Sequence, residues 1–178
     1  MPKIYLWQRI VTKNLIIGLK KAFSEGYPAR SVYKLKEIDE KFGMIKKNFT
    51  VLDLGAAPGS WTTFLLRTME GSGKVVSCDL NPLAKSVKGD NLVFIQGDLN
   101  APEIRKQIKE NGPYDLVVCD AAPKTTGNRM VDTACSEQLV EMAVWYALRI
   151  GNLAFVKNLQ KNIKHVRVSF FNFIKKHY

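Results

Sequence analysis

Acidic residues are missing from both ends of this 178-residue chain: none precedes Glu25 and none follows Glu141. The whole sequence sets 16 Asp and Glu against 27 Lys and Arg, a formal net charge of +11. That balance points to a polyanionic partner. Nucleic acid fits best, because neutralising phosphates releases counterions and supplies much of the affinity. The acid-free stretch before Glu25 holds Lys3, Arg9, Lys13, Lys20 and Lys21, a bias shared with organelle transit peptides. Serine is scarce there and lysine outnumbers arginine, so a cytoplasmic location is expected and an organellar, mitochondrial one is the alternative. Cysteine is also sparse: Cys78, Cys119 and Cys135 form no CxxC pair and read as buried, reduced thiols of an intracellular protein. His165 and His177 have no cysteines or acids at ligand spacing, so no metal is expected. No apolar run reaches the length of a membrane span. Missing too are the GxGxxG spacing that seats a pyrophosphate and the Gly-Lys-Ser/Thr of a P-loop.

What is present alternates between strand and helix patterns within a length suited to one domain, taken as 1–178 with 1–30 a basic amino-terminal extension facing RNA. Strands are expected at Thr50 to Leu54, Lys74 to Asp79, Leu92 to Gln96, Leu116 to Cys119 and Asn152 to Lys157, each rich in β-branched or large apolar residues. Helices are expected at Ser31 to Phe42, Ser60 to Met69, Pro102 to Asn111 and Thr133 to Arg149. The last presents Ala134, Leu139, Met142, Ala143, Tyr146 and Ala147 as a packing face. Strands spaced by helices imply parallel βαβ units and a doubly wound α/β sheet.

The run Thr50 to Trp61 is a buried strand breaking into Gly55-Ala56-Ala57-Pro58-Gly59 before a helix begins. Gly55 permits a turn where a side chain would collide, and Gly59 permits close backbone approach. Ligands of such sheets collect beyond the carboxyl ends of the strands, and acids stand there in series: Asp79 ends the second strand, Asp98 follows the third, Asp120 ends the fourth. A carboxylate after the second strand can accept hydrogen bonds from ribose hydroxyls, and one after the third from an adenine amino group. Leu80 and Leu99 follow those acids directly. With no phosphate fingerprint, a phosphate-free nucleoside cofactor is favoured. S-adenosylmethionine suits, since its sulfonium would welcome Asp53 or Asp120; a dehydrogenase stays open on fold grounds.

Together, Arg30-Ser31-Val32-Tyr33-Lys34-Leu35, Asp53 through Trp61, Cys78-Asp79-Leu80, Gln96-Gly97-Asp98-Leu99, Asp120-Ala121-Ala122-Pro123 and Phe155-Val156-Lys157 resemble the FtsJ/RrmJ ribose 2'-O-methyltransferases of RNA. The resemblance runs from about Phe23 to Gln160, and the stretch Glu25 to Leu35 is its most specific part, because the generic methyltransferase fold does not require it. It implies a Rossmann-like class I methyltransferase fold and S-adenosylmethionine as cofactor, held by Asp53, Gly55, Pro58, Gly59, Trp61, Asp79, Leu80, Asp98, Leu99 and Asp120. Trp61 is read as a packing residue that also covers the methionine end.

The family's catalytic Lys-Asp-Lys-Glu tetrad carries over to Lys34, Asp120 and Lys157. A ribose 2'-hydroxyl is a poor nucleophile at neutral pH, so transfer needs its proton removed or its oxyanion stabilised, with the reacting atoms in line. Lys157 is the candidate base, because a sulfonium and the neighbouring Lys34 would both lower its pKa. Asp120 would orient Lys157 and the hydroxyl, and Lys34 would steady the ribose oxygen or a phosphate. The glutamate has no counterpart in this sequence, and the loop after Lys157 lacks the family's glycine. A truncated product of a longer active protein, without the family's final edge strands, is the favoured explanation; a divergent or inactive member is the other.

Lys13, Lys20, Lys21, Arg30 and Lys36 are expected to track RNA phosphates, with Tyr27 and Tyr33 offering flat surfaces for bases and Lys124 to Met130 lining the substrate mouth. Compactness favours ribosomal RNA, most of all that of the large subunit or its particle, over tRNA or a messenger cap, with the chain acting as a monomer. A non-enzymatic alternative is an RNA-binding or ribosome-assembly factor that keeps the cofactor fold.

Overall fold

The computed structural model of the chain describes residues 16–121 and 127–156. Five strands, β1 (Thr50–Leu54), β2 (Lys74–Asp79), β3 (Leu92–Gln96), β4 (Tyr114–Cys119) and β5 (Gly151–Val156), form one sheet in the order β3-β2-β1-β4-β5. All neighbours pair in parallel. Helices α1 (Val32–Phe42), α2 (Ser60–Met69), α3 (Pro102–Glu110) and α4 (Arg129–Ile150) complete the architecture, preceded by helical residues 16–24. This is the doubly wound α/β fold that the alternating pattern predicts.

Strand alternation divides the core into two layers. Leu52, Leu54, Val76, Cys78 and Val117 face one way, onto Ile104 and Ile108 of α3 and Met142, Ala143 and Tyr146 of α4. Val51, Val75, Leu116 and Val118 face the other way, onto Val32 and Leu35 of α1 and Trp61, Phe64, Leu65 and Met69 of α2. Burial on both faces is why these strands read as nearly continuous apolar runs.

Several boundaries differ from the expectation. β4 begins at Tyr114, whose ring is buried and whose hydroxyl donates to the Ile108 carbonyl at 2.6 Å, so the tyrosine belongs to the sheet. α3 stops at Glu110 because Asn111 caps it, its N–H reaching the carbonyls of Gln107 and Ile108. β5 pairs from Gly151 to Val156, against Tyr114 to Cys119. α4 starts earlier than expected, at Arg129, with the Asn128 side chain accepting from the Met130 N–H at 3.1 Å. On α4, Met142, Ala143 and Tyr146 are buried and Leu139 packs against them, whereas Ala134 is exposed, a full turn and more away from the buried stretch. Cys78 and Cys119 are buried as expected, and Cys135 is only half-buried.

Candidate active site

The chain runs outward from β1 through β2 to β3, then returns to place β4 on the other side of β1. The gap at which the order reverses lies between the carboxyl ends of β1 and β4, the place where open α/β sheets bind ligands. Gly55 leaves β1 with φ +73°, and a Cβ there would stand 2.5 Å from the Ala121 Cα. Only glycine lets the two chain ends meet so closely. Asp120, one residue before that contact, is half-buried and donates its N–H to the Leu54 carbonyl at 3.3 Å.

The loop after Gly55 is held from the β2 side. Gly55 and Ala56 both donate their N–H groups to the Cys78 carbonyl, at 2.9 and 3.2 Å. The Asp79 carboxylate accepts from the Ala57 N–H at 3.0 Å and from the Asn81 N–H at 2.8 Å, so this acid organises the loop as well as facing its mouth. Gly59, at φ 107°, starts α2 without a side-chain cap, and a Cβ there would meet the Val87 side chain at 2.6 Å. Its close approach is therefore to the β2–β3 connection. Pro58 is exposed at the loop tip.

Beneath the loop lies a buried polar chain that the motif alone does not reveal. Thr62 Oγ1 donates to Asp53 Oδ2 at 2.7 Å and lies 2.9 Å from Ser77 Oγ. Asp53 and Ser77 are paired across β1 and β2, so both side chains emerge on the α2 face, where Thr62 meets them. Burial pushes the Asp53 carboxyl up to about 7, the Thr62 hydrogen bond opposes that rise, and the charges of Asp120 and Asp79 add to it. Asp53 Oδ1 is buried without a hydrogen-bond partner. The signal for Thr62 and Ser77 was available: a hydroxyl on an otherwise apolar helix face and another inside an apolar strand.

At the end of β3, Asp98 is exposed, Leu99 is buried and Leu80, after β2, is exposed. The turn from Asp98 to Ala101 closes with the Ala101 N–H on the Asp98 carbonyl at 2.9 Å. Tyr146 of α4 donates its hydroxyl to the Leu99 carbonyl at 2.9 Å, a buried contact that sequence spacing could not reveal.

Trp61 is buried, and its indole Nε1 donates to the Ser31 carbonyl at 2.9 Å. The packing role expected for it holds, and its partner is the start of α1, the helix that carries Lys34. Lys34 is exposed, Lys36 half-buried, and Lys20, Lys21 and Arg30 exposed. Lys13, Lys124 and Lys157 lie outside the described residues. Tyr27 does not offer a face to bases: it is buried in the core, and the Arg67 guanidinium covers its ring at 4.5 Å. Tyr33 is half-buried against the same core, with Lys21 Nζ 5.1 Å from its ring centre, so that surface too is taken. An aromatic beside basic residues looks the same in sequence whether it faces core or solvent.

The family model and the curated relatives point to the same family. A family model described as FtsJ-like methyltransferase matches residues 27–178. The chain is 52% identical over 153 residues to a ribosomal RNA large subunit methyltransferase E of Treponema denticola, covering 84% of this chain and 77% of that protein. It is 48% identical over 126 residues to the protein of that name in Treponema pallidum, covering 71% of this chain and 63% of the relative's length. Among solved structures, a Plasmodium falciparum protein assigned as a ribosomal RNA methyltransferase superposes with a TM-score of 0.67 at 25% identity, over 82% of this chain and 85% of that one. With a glycine loop that meets Ala121, next to Asp120, at the reversal of a parallel sheet, these matches place the chain in the FtsJ-like methyltransferase family.

Proposed function

We propose that this chain transfers the methyl group of S-adenosylmethionine to a ribose 2'-hydroxyl of RNA, and that the RNA is the large ribosomal subunit's. The observation that carries the reading is the approach of Gly55 to Ala121, which brings the glycine loop and Asp120 to one point beyond the sheet. The surroundings suit this cofactor. Asp79 and Asp120 both raise the pKa of Asp53, so this end of the sheet holds an excess of negative potential that a sulfonium would relieve. In this reading Asp79 and Asp98 meet the ribose and base, with Gly55, Pro58, Gly59, Leu80 and Leu99 lining the same mouth.

Bound there, S-adenosylmethionine supplies an electrophilic methyl carbon on a cationic sulfur. The chain's own residues must bring a 2'-hydroxyl into line with it and take up the proton. Lys157 accepts that proton, Asp120 orients the amine and the hydroxyl, and Lys34 stands by the ribose oxygen or a flanking phosphate. In support of that role, Lys34 is exposed on α1, whose start Trp61 ties to the helix that begins at the glycine loop. Exposed Lys20, Lys21 and Arg30, with Lys36, extend the cationic path for RNA. The names and bacterial sources of the two treponemal relatives support the ribosomal substrate and a cytoplasmic setting. A monomer is the expected assembly.

Transfer of label from methyl-labelled S-adenosylmethionine to ribosomal particles, free ribosomal RNA and tRNA tests the proposal. Label is expected on the large-subunit RNA, resistant to base removal and lost in Lys157→Ala with cofactor binding kept. RNA binding without label on any of the three substrates would leave an RNA-binding factor and sink the enzyme.

A further inference from the structure

The turn after β3 is held in one orientation by a helix far along the chain. Its middle peptide joins Leu99 to Asn100, and both polar groups of that peptide are engaged. The Leu99 carbonyl accepts from the buried Tyr146 hydroxyl at 2.9 Å and from Arg105 Nε at 3.4 Å. The Asn100 N–H donates to Asp98 Oδ1 at 2.9 Å, with the Asn100 side chain adding a second donor to the same oxygen at 3.3 Å. Middle peptides of four-residue turns have two orientations, related by a flip of roughly 180° that separates type I from type II. After a flip the Leu99 carbonyl would leave Tyr146, and the Asn100 N–H would leave the Asp98 carboxylate.

Tyr146 is itself fixed. Its ring is buried, and Trp145 stands edge-on to it with ring centres 5.1 Å apart. Arg105 lies over the Trp145 ring at 5.2 Å, so the second donor to Leu99 is braced by the same helix.

We infer that Tyr146 is a positioning residue for base recognition: by pinning the Leu99 carbonyl it holds the peptide that aims the Asp98 carboxylate at the adenine edge. The inference rests on the proposed cofactor reading and deepens it. An ionised carboxylate only accepts hydrogen bonds. It therefore favours the amino group of adenine and opposes the carbonyl oxygen that replaces it in hypoxanthine. A carboxylate that turns freely discriminates less, so Tyr146 governs the preference of the site for adenosine over inosine without touching the base.

Calorimetric titration of the whole chain with S-adenosylhomocysteine and with S-inosylhomocysteine tests this, using Tyr146→Phe, which deletes the hydroxyl and keeps the ring. The wild-type chain is expected to prefer the adenosyl compound. In Tyr146→Phe its affinity for that compound should fall about tenfold, the worth of one hydrogen bond to a charged group, with the inosyl affinity nearly unchanged. Asp98→Ala should abolish the preference, and adding Tyr146→Phe to it should cost nothing further. Equal losses for both compounds, or a retained preference, would overturn the positioning role and leave the cofactor reading intact. A wild-type chain that binds both compounds alike would overturn the adenine role of Asp98, and the inference with it. Where circular dichroism finds Tyr146→Phe unfolded, Arg105→Leu decides: it removes the weaker donor and should show a smaller loss of the same selectivity. A loss equal for both compounds in that variant counts against the inference.

Discussion

Asp53 is a carboxyl enclosed on every side, with one hydroxyl donor and two acidic neighbours, and its pKa rises from 3.8 to about 7. The sign of its effect on stability follows from where the proton sits. From about pH 4 to 7 the unfolded chain releases this proton while the folded chain keeps it, so stability contributed by the site falls as pH rises through that window. The full cost, on the order of 4 kcal/mol, is present above pH 7. Asp53→Asn keeps the shape and an acceptor for Thr62 but cannot ionise, and should remove this slope. Urea unfolding at pH 5 and pH 8 checks it: the variant should gain on the wild type at the higher pH, and a constant gap would refute the raised pKa. Gly55 presents a different constraint, since an alanine there must take φ +73° and push its Cβ against the Ala121 backbone. Gly55→Ala should lower stability by about 2 kcal/mol and weaken cofactor binding more than tenfold, read by thermal melts and calorimetry. Gly71, also at positive φ, would place a Cβ in open space, so Gly71→Ala is the control that isolates backbone strain from collision.

Helix α2 ties the glycine loop to the amino-terminal elements. Its first turn binds the Ser31 carbonyl through Trp61, and its last turn binds the Glu25 carbonyl at 2.7 Å through Arg67 Nη1, with the same guanidinium over Tyr27. The helix thus fixes both ends of the Glu25–Ser31 connection, and Lys34 follows one turn later. Trp61→Phe removes the indole donor while filling most of the volume. A loss of about 1 kcal/mol of stability is expected. On the proposed role of Lys34, turnover should drop further than cofactor affinity, because the contact holds the start of α1 rather than the loop; a matched fall in both would contradict that division. Much of this architecture was legible because parallel strands covered on both faces appear as short apolar runs, and the acids stop those runs where the sheet ends. Asp79, Asp98 and Asp120 were therefore readable as a series. Contacts between residues far apart in sequence were not. The Arg67 clamp on Glu25 and the Tyr146 bond to Leu99 join positions 42 and 47 residues apart. No local pattern distinguishes Arg67 from a solvated surface cation or Tyr27 from a base-stacking platform. The early start of α4 was missed for a related reason: the apolar Met130 of its first turn is exposed, so that turn is set by Asn128 rather than by a packing face.

Among the described residues, the acids expected at the cofactor and the cations expected on RNA belong to different elements. Asp79, Asp98 and Asp120 stand at or just beyond strand ends, where the proposed cofactor would lie, whereas Asp53, expected to contact it, is buried within β1 beneath the loop; Lys20, Lys21, Arg30 and Lys34 stand exposed on the amino-terminal elements. With a net charge of +11, the chain should attract any polyanion, so binding alone says little about which surface touches RNA. Salt dependence separates the two. Each phosphate contact on single-stranded RNA contributes a slope of about −0.7 in log affinity against log salt. Replacing Lys20, Lys21 and Arg30 together by alanine should therefore flatten the slope by about 2 if each holds a phosphate. Cofactor affinity should not move, since none of the three belongs to the strand-end cluster. The measurement is a fluorescence titration of a labelled ribosomal RNA fragment from low to moderate salt, with calorimetry of the cofactor alongside. An unchanged slope with weaker binding would mean that the three act through the fold of the amino-terminal helix; Lys21 is the residue to suspect, lying over Tyr33 and near Glu25 at 3.9 Å. A flattened slope with intact cofactor binding would place the RNA path on the amino-terminal elements, next to the helix on which the proposed mechanism puts Lys34 beside the 2'-hydroxyl.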